Sequence, residues 1–310
     1  MTIHEAHQQL LFQLYHIYDD REAAAITNLV MENITEWTKI DRVLNKNLPL
    51  SLPKIDLLKK YTEELLQHKP LQYVLHEAWF AGMKFYVDEY VLIPRPETEE
   101  LVDWLVSQVL NKNIAANIQT LIESKGTTQT TQSRIPYSPL RILDIGTGSG
   151  CIPIALKKRL PLAELYSCDI SEAALNVARL NAKNNQQEIH FIQVDFLNPL
   201  EREKLPQVDI IISNPPYIPI KDINTMTPNV TAYEPHLALF VENENPLIFY
   251  NAIVDFAIEK LAADGMLFVE THEDQAGNVK KLFPDNYFTD IEIKTDMQGK
   301  QRMIKATMLP

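Results

Sequence analysis

The sequence predicts a doubly wound α/β sheet that follows a small N-terminal helical bundle. From Leu140 onward, short apolar segments of strand type alternate with helical segments, which is the pattern of a mainly parallel sheet with helices on both faces. Three of the eight glycines lie together between the first of these strands and its helix. Residues 4 to 68, by contrast, carry apolar side chains at helical spacing. These observations separate the chain into a helical part and a sheet part.

The composition is that of an ordinary soluble protein, with 310 residues of which 45% are apolar and 23% charged. A net charge of −12 disfavours binding to nucleic acid through its phosphates, because that affinity comes from Lys and Arg. We find neither a signal sequence nor an apolar window long enough to span a membrane, and we expect a cytoplasmic protein. Cys151 and Cys168 are too few for a zinc site, so we expect both to be buried and no metal to be bound.

The first 95 residues predict a helical domain and a linker. Residues 1–69 contain helical periodicity, with Asp20 and Ser51 as suitable N-caps. Since this domain has no phosphate loop, metal cluster or nucleophile motif, we expect it to serve substrate recognition or packing. Residues 70–95 change to a strand-like period, with short strands near Phe85 and over residues 90–93. We interpret this segment as a β-hairpin linker.

The remaining residues, 96–310, form the predicted sheet domain. It opens with a helix after Pro96, followed by a polar, Thr- and Gln-rich stretch over residues 111–138. We expect this stretch to be a flexible surface insertion. The alternating strands and helices begin after it.

A glycine-rich turn, "LDIGTGSG", joins the first strand of this domain to its helix. Its residues are Gly146, Thr147, Gly148, Ser149 and Gly150. Glycines at this place let the backbone turn tightly and approach a ligand closely. The alternative is a tight turn that binds nothing.

Carboxylates at the ends of successive strands extend this motif. Asp169 ends the second strand, where it could accept hydrogen bonds from ribose hydroxyls. Asp195 and Phe196 end the third, where they could contact an adenine amino group and ring. Asp144, within the glycine motif, could bond the loop backbone or lie near a ligand amino group. Each acid alone is as consistent with a loop cap, but together they predict an adenosine pocket, for either NAD or S-adenosylmethionine.

The segment "SNPPY" follows the fourth strand, and its adjacent prolines cannot donate hydrogen bonds to a sheet. An amide or exocyclic amine nitrogen is a poor nucleophile because its lone pair is delocalised. The Asn214 side-chain oxygen and the Pro215 carbonyl could accept both of its hydrogens, which would orient it for attack on a methyl sulfonium. Tyr217 offers a ring face to a planar group. The alternative is a turn in which Asn214 bonds its own backbone.

These motifs resemble the HemK/PrmC family, the methyltransferases that modify the glutamine of the Gly-Gly-Gln motif in peptide chain release factors. The resemblance covers about residues 5 to 309 apart from the insertion. "PRPETE", ahead of the glycine turn, is distinctive of the family. The matching segments are "PLQYV", "VLIPRPETEELV", "LDIGTGSG", "SCD", "VDF", "SNPPYI", "YEPHLALF" and "DMQGKQRMI".

The resemblance implies a Rossmann-like class I methyltransferase sheet that binds S-adenosyl-L-methionine and releases S-adenosyl-L-homocysteine. The implied cofactor residues are the five turn residues 146–150, Asp169, Phe196 and Asn214, to which the pocket pattern adds Asp195. The implied substrate residues are Asn214, Pro215, Pro216 and Tyr217, with Arg95, Pro96, Glu97 and Thr98 beside the active centre. A surface ion pair is the alternative for Arg95 and Glu97. Glu234 and Pro235 would shape a loop on the substrate side, with His236 in a structural role.

The predicted partner is therefore a release factor, bound by a monomer without direct contact to nucleic acid or membrane. One alternative is a DNA or RNA amino-methyltransferase, because the same Asn-Pro-Pro-Tyr motif serves adenine. It would need base flipping and a basic surface. Another alternative is a methyltransferase-like binding protein without activity, which the intact motifs disfavour. The sequence departs from the family at His76, where the family usually has glycine, and this leaves the conformation of the hairpin's local turn open.

Overall fold

The computed structural model describes the backbone of residues 1–124 and 139–310. Side chains are described at residues 1–112 and 139–310. The chain divides into two compact units. The first unit consists of Met1–Glu77, Val87–Glu89 and Thr225–Glu234. The second consists of Ala78–Tyr86, Tyr90–Asn224 and Pro235–Pro310. In the described ranges, no helix is both long and apolar enough to cross a membrane.

The first unit contains the helical bundle that the spacing predicts. Its N-terminal helices are α1 (Ile3–Leu14), α2 (Asp20–Thr35), α3 (Lys39–Leu44), α4 (Leu52–Leu66) and α5 (Leu71–Leu75). Leu10, Val30 and Leu65 are buried together in its core, because apolar residues recur on one face of each helix. The side chain that caps α2 is Asp19 rather than the expected Asp20, and it accepts hydrogen bonds from two backbone amides of the first turn.

The hairpin differs in extent from the prediction. It consists of β1 (Ala78–Phe80) and β2 (Met83–Phe85), which pair antiparallel. The predicted strand over residues 90–93 is wrong, since Tyr90 lies in a turn and Val91 in a bend. Val91 is buried, which explains its apolar character, while Pro94 directly after this segment cannot donate to a sheet. The expected linker also includes α5, which is helical.

His76 ends α5 with φ +52°, in the left-handed conformation that favours glycine. Its Nδ1 lies 3.2 Å from the Val87 carbonyl oxygen. The histidine therefore adopts a backbone conformation that glycine reaches without steric cost.

The second unit contains the predicted α/β sheet. Its further strands are β3 (Arg141–Ile145), β4 (Glu164–Asp169), β5 (His190–Gln193), β6 (Val208–Ser213), β7 (Ile218–Pro219), β8 (Phe240–Val241), β9 (Leu261–Glu270), β10 (Phe288–Thr295) and β11 (Gln301–Met308). Helices α6 to α13 of the chain are, in order, Pro96–Ser124, Cys151–Arg159, Glu172–Asn184, Pro199–Arg202, Pro228–Tyr233, His236–Leu239, Ile248–Lys260 and Ala276–Lys280, with a 3₁₀ helix at Ile220–Thr225. Of these, α10 (Pro228–Tyr233) belongs to the first unit, in which the Tyr233 hydroxyl donates to the Gln67 carbonyl at 2.8 Å.

The main sheet has seven strands in the order β10-β11-β9-β6-β3-β4-β5. Strands β3, β4, β5, β6 and β9 are parallel, and β11 is antiparallel to both of its neighbours. The chain order reverses between β3 and β6, so their carboxyl ends form a topological switch point, where ligands bind in open α/β sheets. Along β6, Ile210 and Ile212 pack in one core and Ile211 in the other, as alternation in a sheet buried on both faces requires.

Helix α6 begins at Pro96, as predicted, but continues to Ser124. This differs from the polar insertion expected from residue 111. Ile114, Ile118 and Leu121 recur at helical spacing, a pattern that the Thr/Gln-rich composition further along obscures. The rest of the expected insertion, residues 125–138, lies outside the described residues.

Candidate active site

The glycine turn connects β3 to α7. Gly146, Gly148 and Gly150 have φ values of +78°, +52° and +79°, a region that disfavours other residues. At Gly150 an added Cβ would lie 3.1 Å from the Cβ of Ala178, whereas at Gly146 and Gly148 it would meet no described atom within 4 Å. Gly150 therefore packs the turn against α8, while the other two glycines border open space.

Asp169 links this turn to the end of β4. One carboxylate oxygen accepts from the Gly148 amide at 2.9 Å, and the other accepts from the Ser171 amide at 2.9 Å. Burial raises the pKa of Asp169, and these amide hydrogen bonds oppose that effect. Each carboxylate oxygen keeps a further lone pair for a ligand hydroxyl.

Asp144 is fully buried within β3, beside the turn. Its Oδ2 accepts a hydrogen bond from the Ser167 hydroxyl at 2.8 Å, while its Oδ1 has no hydrogen-bond partner among the described residues. Burial raises the pKa of Asp144 to about 7. The Ser167 and Thr147 hydroxyls oppose this rise. A buried carboxylate oxygen that no described donor bonds in good geometry fits a ligand with a cationic amino group, such as the amino acid part of S-adenosylmethionine.

Asp195 and Phe196 already have protein partners. Asp195 accepts from the Leu197 amide at 3.0 Å. The Phe196 ring is buried in the core, edge to face with Phe256 at a centroid distance of 5.4 Å and with the Arg202 guanidinium 5.6 Å from its centroid. Contact of either residue with adenine stays a prediction.

The turn after β6 contains the "SNPPY" segment. The Ser213 hydroxyl donates to the Ile145 carbonyl at 2.7 Å, which fixes this turn to the strand end that precedes Gly146. Pro215 is buried, and the Tyr217 ring packs against the core, 6.2 Å from the His272 ring. Burial raises the pKa of Tyr217 far above its ordinary value, so the phenol is neutral. The two turns that the sequence singled out are thus neighbours.

Asn214 is held through its side chain rather than its own backbone. Its Nδ2 donates to the Thr98 hydroxyl at 3.1 Å, and that hydroxyl donates to Glu270 Oε2 at 2.6 Å. The three residues come from the turn after β6, the first turn of α6 and the last residue of β9. The sequence patterns above do not single out Glu270. Like Asp169, however, it is an acidic residue at the end of a strand.

Arg95 and Glu97 are half-buried and lie within electrostatic range of Glu270 and Tyr217. Burial raises the pKa of Glu270 to about 7; the Glu97 charge adds to this, while Thr98 and the charges of Arg302 and Arg95 oppose it. The structure therefore brings "PRPETE" to the side of the turn that carries Asn214 and Tyr217.

Asn181, a buried polar residue in the middle of α8, is a further residue that no sequence pattern indicates. Its Nδ2 donates to the carbonyls of Ser149 and Tyr86, each at 2.9 Å, and its Oδ1 accepts from the Tyr86 amide at 2.7 Å. This amide fixes the glycine turn to the end of the hairpin. Among the "YEPH" residues, Glu234 is buried at the end of α10, and the His236 ring lies edge-on to Phe240 at 5.1 Å. A role for Glu234 or Pro235 in shaping a loop stays a prediction.

The sheet order, the glycine turn and the strand-end carboxylates define a class I methyltransferase. The chain matches the family model of the PrmC N-terminal domain over residues 5–75 and that of the methyltransferase small domain over residues 127–231. It is 38% identical over 309 residues to a protein named release factor glutamine methyltransferase from Flavobacterium psychrophilum, covering 99% of each chain. The protein belongs to the release factor glutamine methyltransferase family.

Two further comparisons agree with this assignment. A protein of the same name from Bacteroides thetaiotaomicron is 34% identical over 293 residues, covering 94% of this chain and 95% of its own. Among solved structures, the catalytic domain of hMettl16 in complex with the MAT2A 3'UTR hairpin 6 superposes with a TM-score of 0.50 at 15% identity, covering 86% of this chain and 85% of that chain. The second similarity is one of fold alone.

Proposed function

We propose that this protein transfers a methyl group from S-adenosylmethionine to the side-chain amide nitrogen of the glutamine in the Gly-Gly-Gln motif of peptide chain release factors. The observation that carries the proposal is the Asn-Pro-Pro-Tyr turn, held next to the glycine turn by the Ser213 hydroxyl bond to Ile145. Two relatives named for this activity are 38% and 34% identical to this chain over nearly its full length, which supports the choice of substrate.

The glycine turn and its carboxylates fit the cofactor. Gly146 to Gly150 would lie along the ligand, Asp169 would accept ribose hydroxyls and Asp144 would receive the amino group. Asp195 and Phe196 would lie at the adenine end. When bound, S-adenosylmethionine supplies an electrophilic methyl group.

The residues after β6 fit a planar amide. The Asn214 side-chain oxygen and the Pro215 carbonyl would accept the two hydrogens of the glutamine nitrogen, and Tyr217 would pack against the amide plane. These acceptors favour the positive charge that grows on nitrogen during the reaction, an effect of several kcal/mol in preorganised sites. Pro216 keeps the turn rigid, and Arg95 and Glu97 would contact the substrate chain.

The first unit completes the proposed assignment. We assign residues 1–69 to recognition of the release factor, residues 70–95 to the connection and residues 96–310 to catalysis. The net charge of −12 supports a protein substrate over nucleic acid. We propose that the enzyme acts as a monomer in the cytoplasm.

A labelling experiment tests the substrate. The protein is incubated with S-adenosylmethionine labelled in its methyl group and either a release factor or the same release factor with its Gly-Gly-Gln glutamine replaced by alanine. We expect label only in the unsubstituted factor. Label in both factors, or only in added nucleic acid, would contradict the proposal.

Calorimetry tests the cofactor separately. We expect S-adenosylhomocysteine to bind and NAD not to bind. Preferential binding of NAD would reject the assignment of the glycine turn, whatever the outcome with release factors.

A further inference from the structure

A chain of two hydrogen bonds runs behind the proposed substrate amide. It joins Asn214 to Thr98 and Thr98 to Glu270, with the distances of 3.1 and 2.6 Å given above. Thr98 is 3% exposed and Glu270 2% exposed, so solvent does not compete for these bonds. Asn214 and Thr98 are 116 positions apart in the sequence, and Thr98 and Glu270 are 172 positions apart.

The direction of this chain follows from the chemistry of its members. When Glu270 is ionised it only accepts hydrogen bonds, so the single hydroxyl hydrogen of Thr98 then points to Glu270. The Thr98 oxygen is then an acceptor for Asn214, which must offer its Nδ2 rather than its Oδ1. The two ends of an asparagine amide have nearly the same shape, and only such a network distinguishes them. The Asn214 oxygen is consequently turned away from Thr98.

We propose that Thr98 and Glu270 are positioning residues that fix the orientation of the Asn214 amide, so that its oxygen is presented to the substrate nitrogen. The identity of that nitrogen rests on the proposed function, whereas the orientation of Asn214 does not. With the amide reversed, the Asn214 NH₂ group would face the NH₂ group of the substrate, and the acceptor needed for its hydrogen would be lost.

The protonation state of Glu270 controls this network. If Glu270 is protonated, its carboxyl can donate to Thr98, and the Thr98 hydrogen is released toward Asn214. The charged and phenolic groups that act with Glu270 are Glu97, Arg95, Arg302, Tyr217 and Tyr250. Both phenols are neutral, because burial raises the pKa of each. With the pKa of Glu270 near 7, we expect turnover to rise with pH through that value.

Kinetics of four variants test the proposal. Thr98→Val removes the hydroxyl at nearly constant shape, Thr98→Ser retains it, and Glu270→Gln removes the titration. Thr62→Val is the matched control, because the buried Thr62 hydroxyl bonds the carbonyl of Leu58 in its own helix and no other group among the described residues. For Thr98→Val we expect kcat to fall roughly 10- to 100-fold, as for loss of a preorganised contact, while KM for the release factor and affinity for S-adenosylhomocysteine change less than about threefold.

The other variants separate positioning from packing. Thr98→Ser and Thr62→Val should retain kcat within about threefold of the wild type, and Glu270→Gln should lose the rise of kcat between roughly pH 6 and 8. Equal losses in Thr98→Val and Thr98→Ser, or a Thr98→Val kcat within about twofold of the wild type, would overturn the proposal. If Thr98→Val does not fold, the pH profile of Glu270→Gln decides: an unchanged profile overturns the proposal.

A spectroscopic measurement separates this proposal from the proposed function. In ¹⁵N-labelled protein, the Asn214 side-chain NH₂ signals are identified by their absence in Asn214→Ala. We expect them to shift with pH near 7 in the wild type and not in Thr98→Val or Glu270→Gln. This result requires no methyl transfer, so it would stand even if release factors were not substrates. Signals that do not respond to pH in the wild type would reject the network.

Discussion

The two halves of the candidate site are built in different ways. At the ends of β3 and β4, the backbone forms the site: glycines turn the chain, and Asp169 bonds the Gly148 amide across 21 residues of sequence. At the ends of β6 and β9, side chains form it, and Asn214 reaches Glu270 through Thr98 across 116 and 172 residues. We call the first the cofactor half and the second the amide half, after the ligands that we propose for them. A local sequence motif therefore specifies the cofactor half, whereas the amide half depends on the tertiary fold.

Two buried carboxyl groups make the same contrast. Asp144 and Glu270 both lie in the sheet, and burial raises the pKa of each to about 7. Asp144 has an oxygen without a hydrogen-bond partner among the described residues, while Glu270 accepts from Thr98. One carboxyl group remains available to a ligand, and the other orders a protein side chain. Substitutions in the two halves should therefore separate ligand affinity from turnover.

The largest effect is expected in the amide half. Asn214→Ala removes the proposed acceptor, whose contribution would grow in the transition state, so kcat should fall roughly 10²- to 10³-fold. Affinity for S-adenosylhomocysteine, measured by calorimetry, should change far less than kcat. Asn176→Ala, at an exposed position on α8, is the control. Unchanged turnover in Asn214→Ala would refute the role of this residue.

The corresponding change in the cofactor half should act mainly on affinity. Asp169→Ala removes the proposed ribose acceptor and leaves the Gly148 and Ser171 amides without their partner. We expect affinity for S-adenosylhomocysteine to fall roughly 10- to 100-fold, a loss of about 1.4 to 3 kcal/mol. Turnover at saturating S-adenosylmethionine should fall less than affinity. The reverse order of effects would show that the division between the two halves is wrong.

Two glycines divide stability from binding inside the cofactor half. Gly150→Ala combines a positive φ with a Cβ 3.1 Å from that of Ala178, so we expect the free energy of unfolding to drop by about 2 kcal/mol. Gly148→Ala has the conformational cost alone, but its Cβ would point into the open space where we place the cofactor. Compared with Gly150→Ala, we expect Gly148→Ala to lose less stability and more affinity for S-adenosylhomocysteine. Denaturant unfolding and calorimetry on both variants check this order.

The sequence predicts the local features of this fold because they depend on near neighbours. The alternation of strands and helices, the glycine turn and the proline turn each occupy a short segment, and the parallel order then brings the strand ends together. Ser213 and Asn181 escape prediction because their partners lie 68 and 32 residues away. Glu270 ends a strand as Asp169 does, but its role depends on a partner 172 residues away. The strand expected at residues 90–93 failed for a related reason, since Val91 is buried by packing rather than by pairing.

A further expected effect is a change in the pH dependence of stability. The pKa of Asp144 is about 7 in the folded protein and ordinarily 3.8. Between these values the folded state retains a proton that the unfolded chain has lost, so Asp144 lowers stability as pH rises, by at most roughly 1.4 kcal/mol per pH unit. Below the lower value both states are protonated, and the contribution is constant.

Asp144→Asn should abolish this part of the decline. Urea unfolding of the wild type and the variant at roughly pH 5, 6 and 7 measures the difference between them, which should increase with pH in favour of the variant. Glu270 titrates in both proteins, so its contribution cancels in that difference. A constant difference would show that Asp144 does not retain its proton on folding.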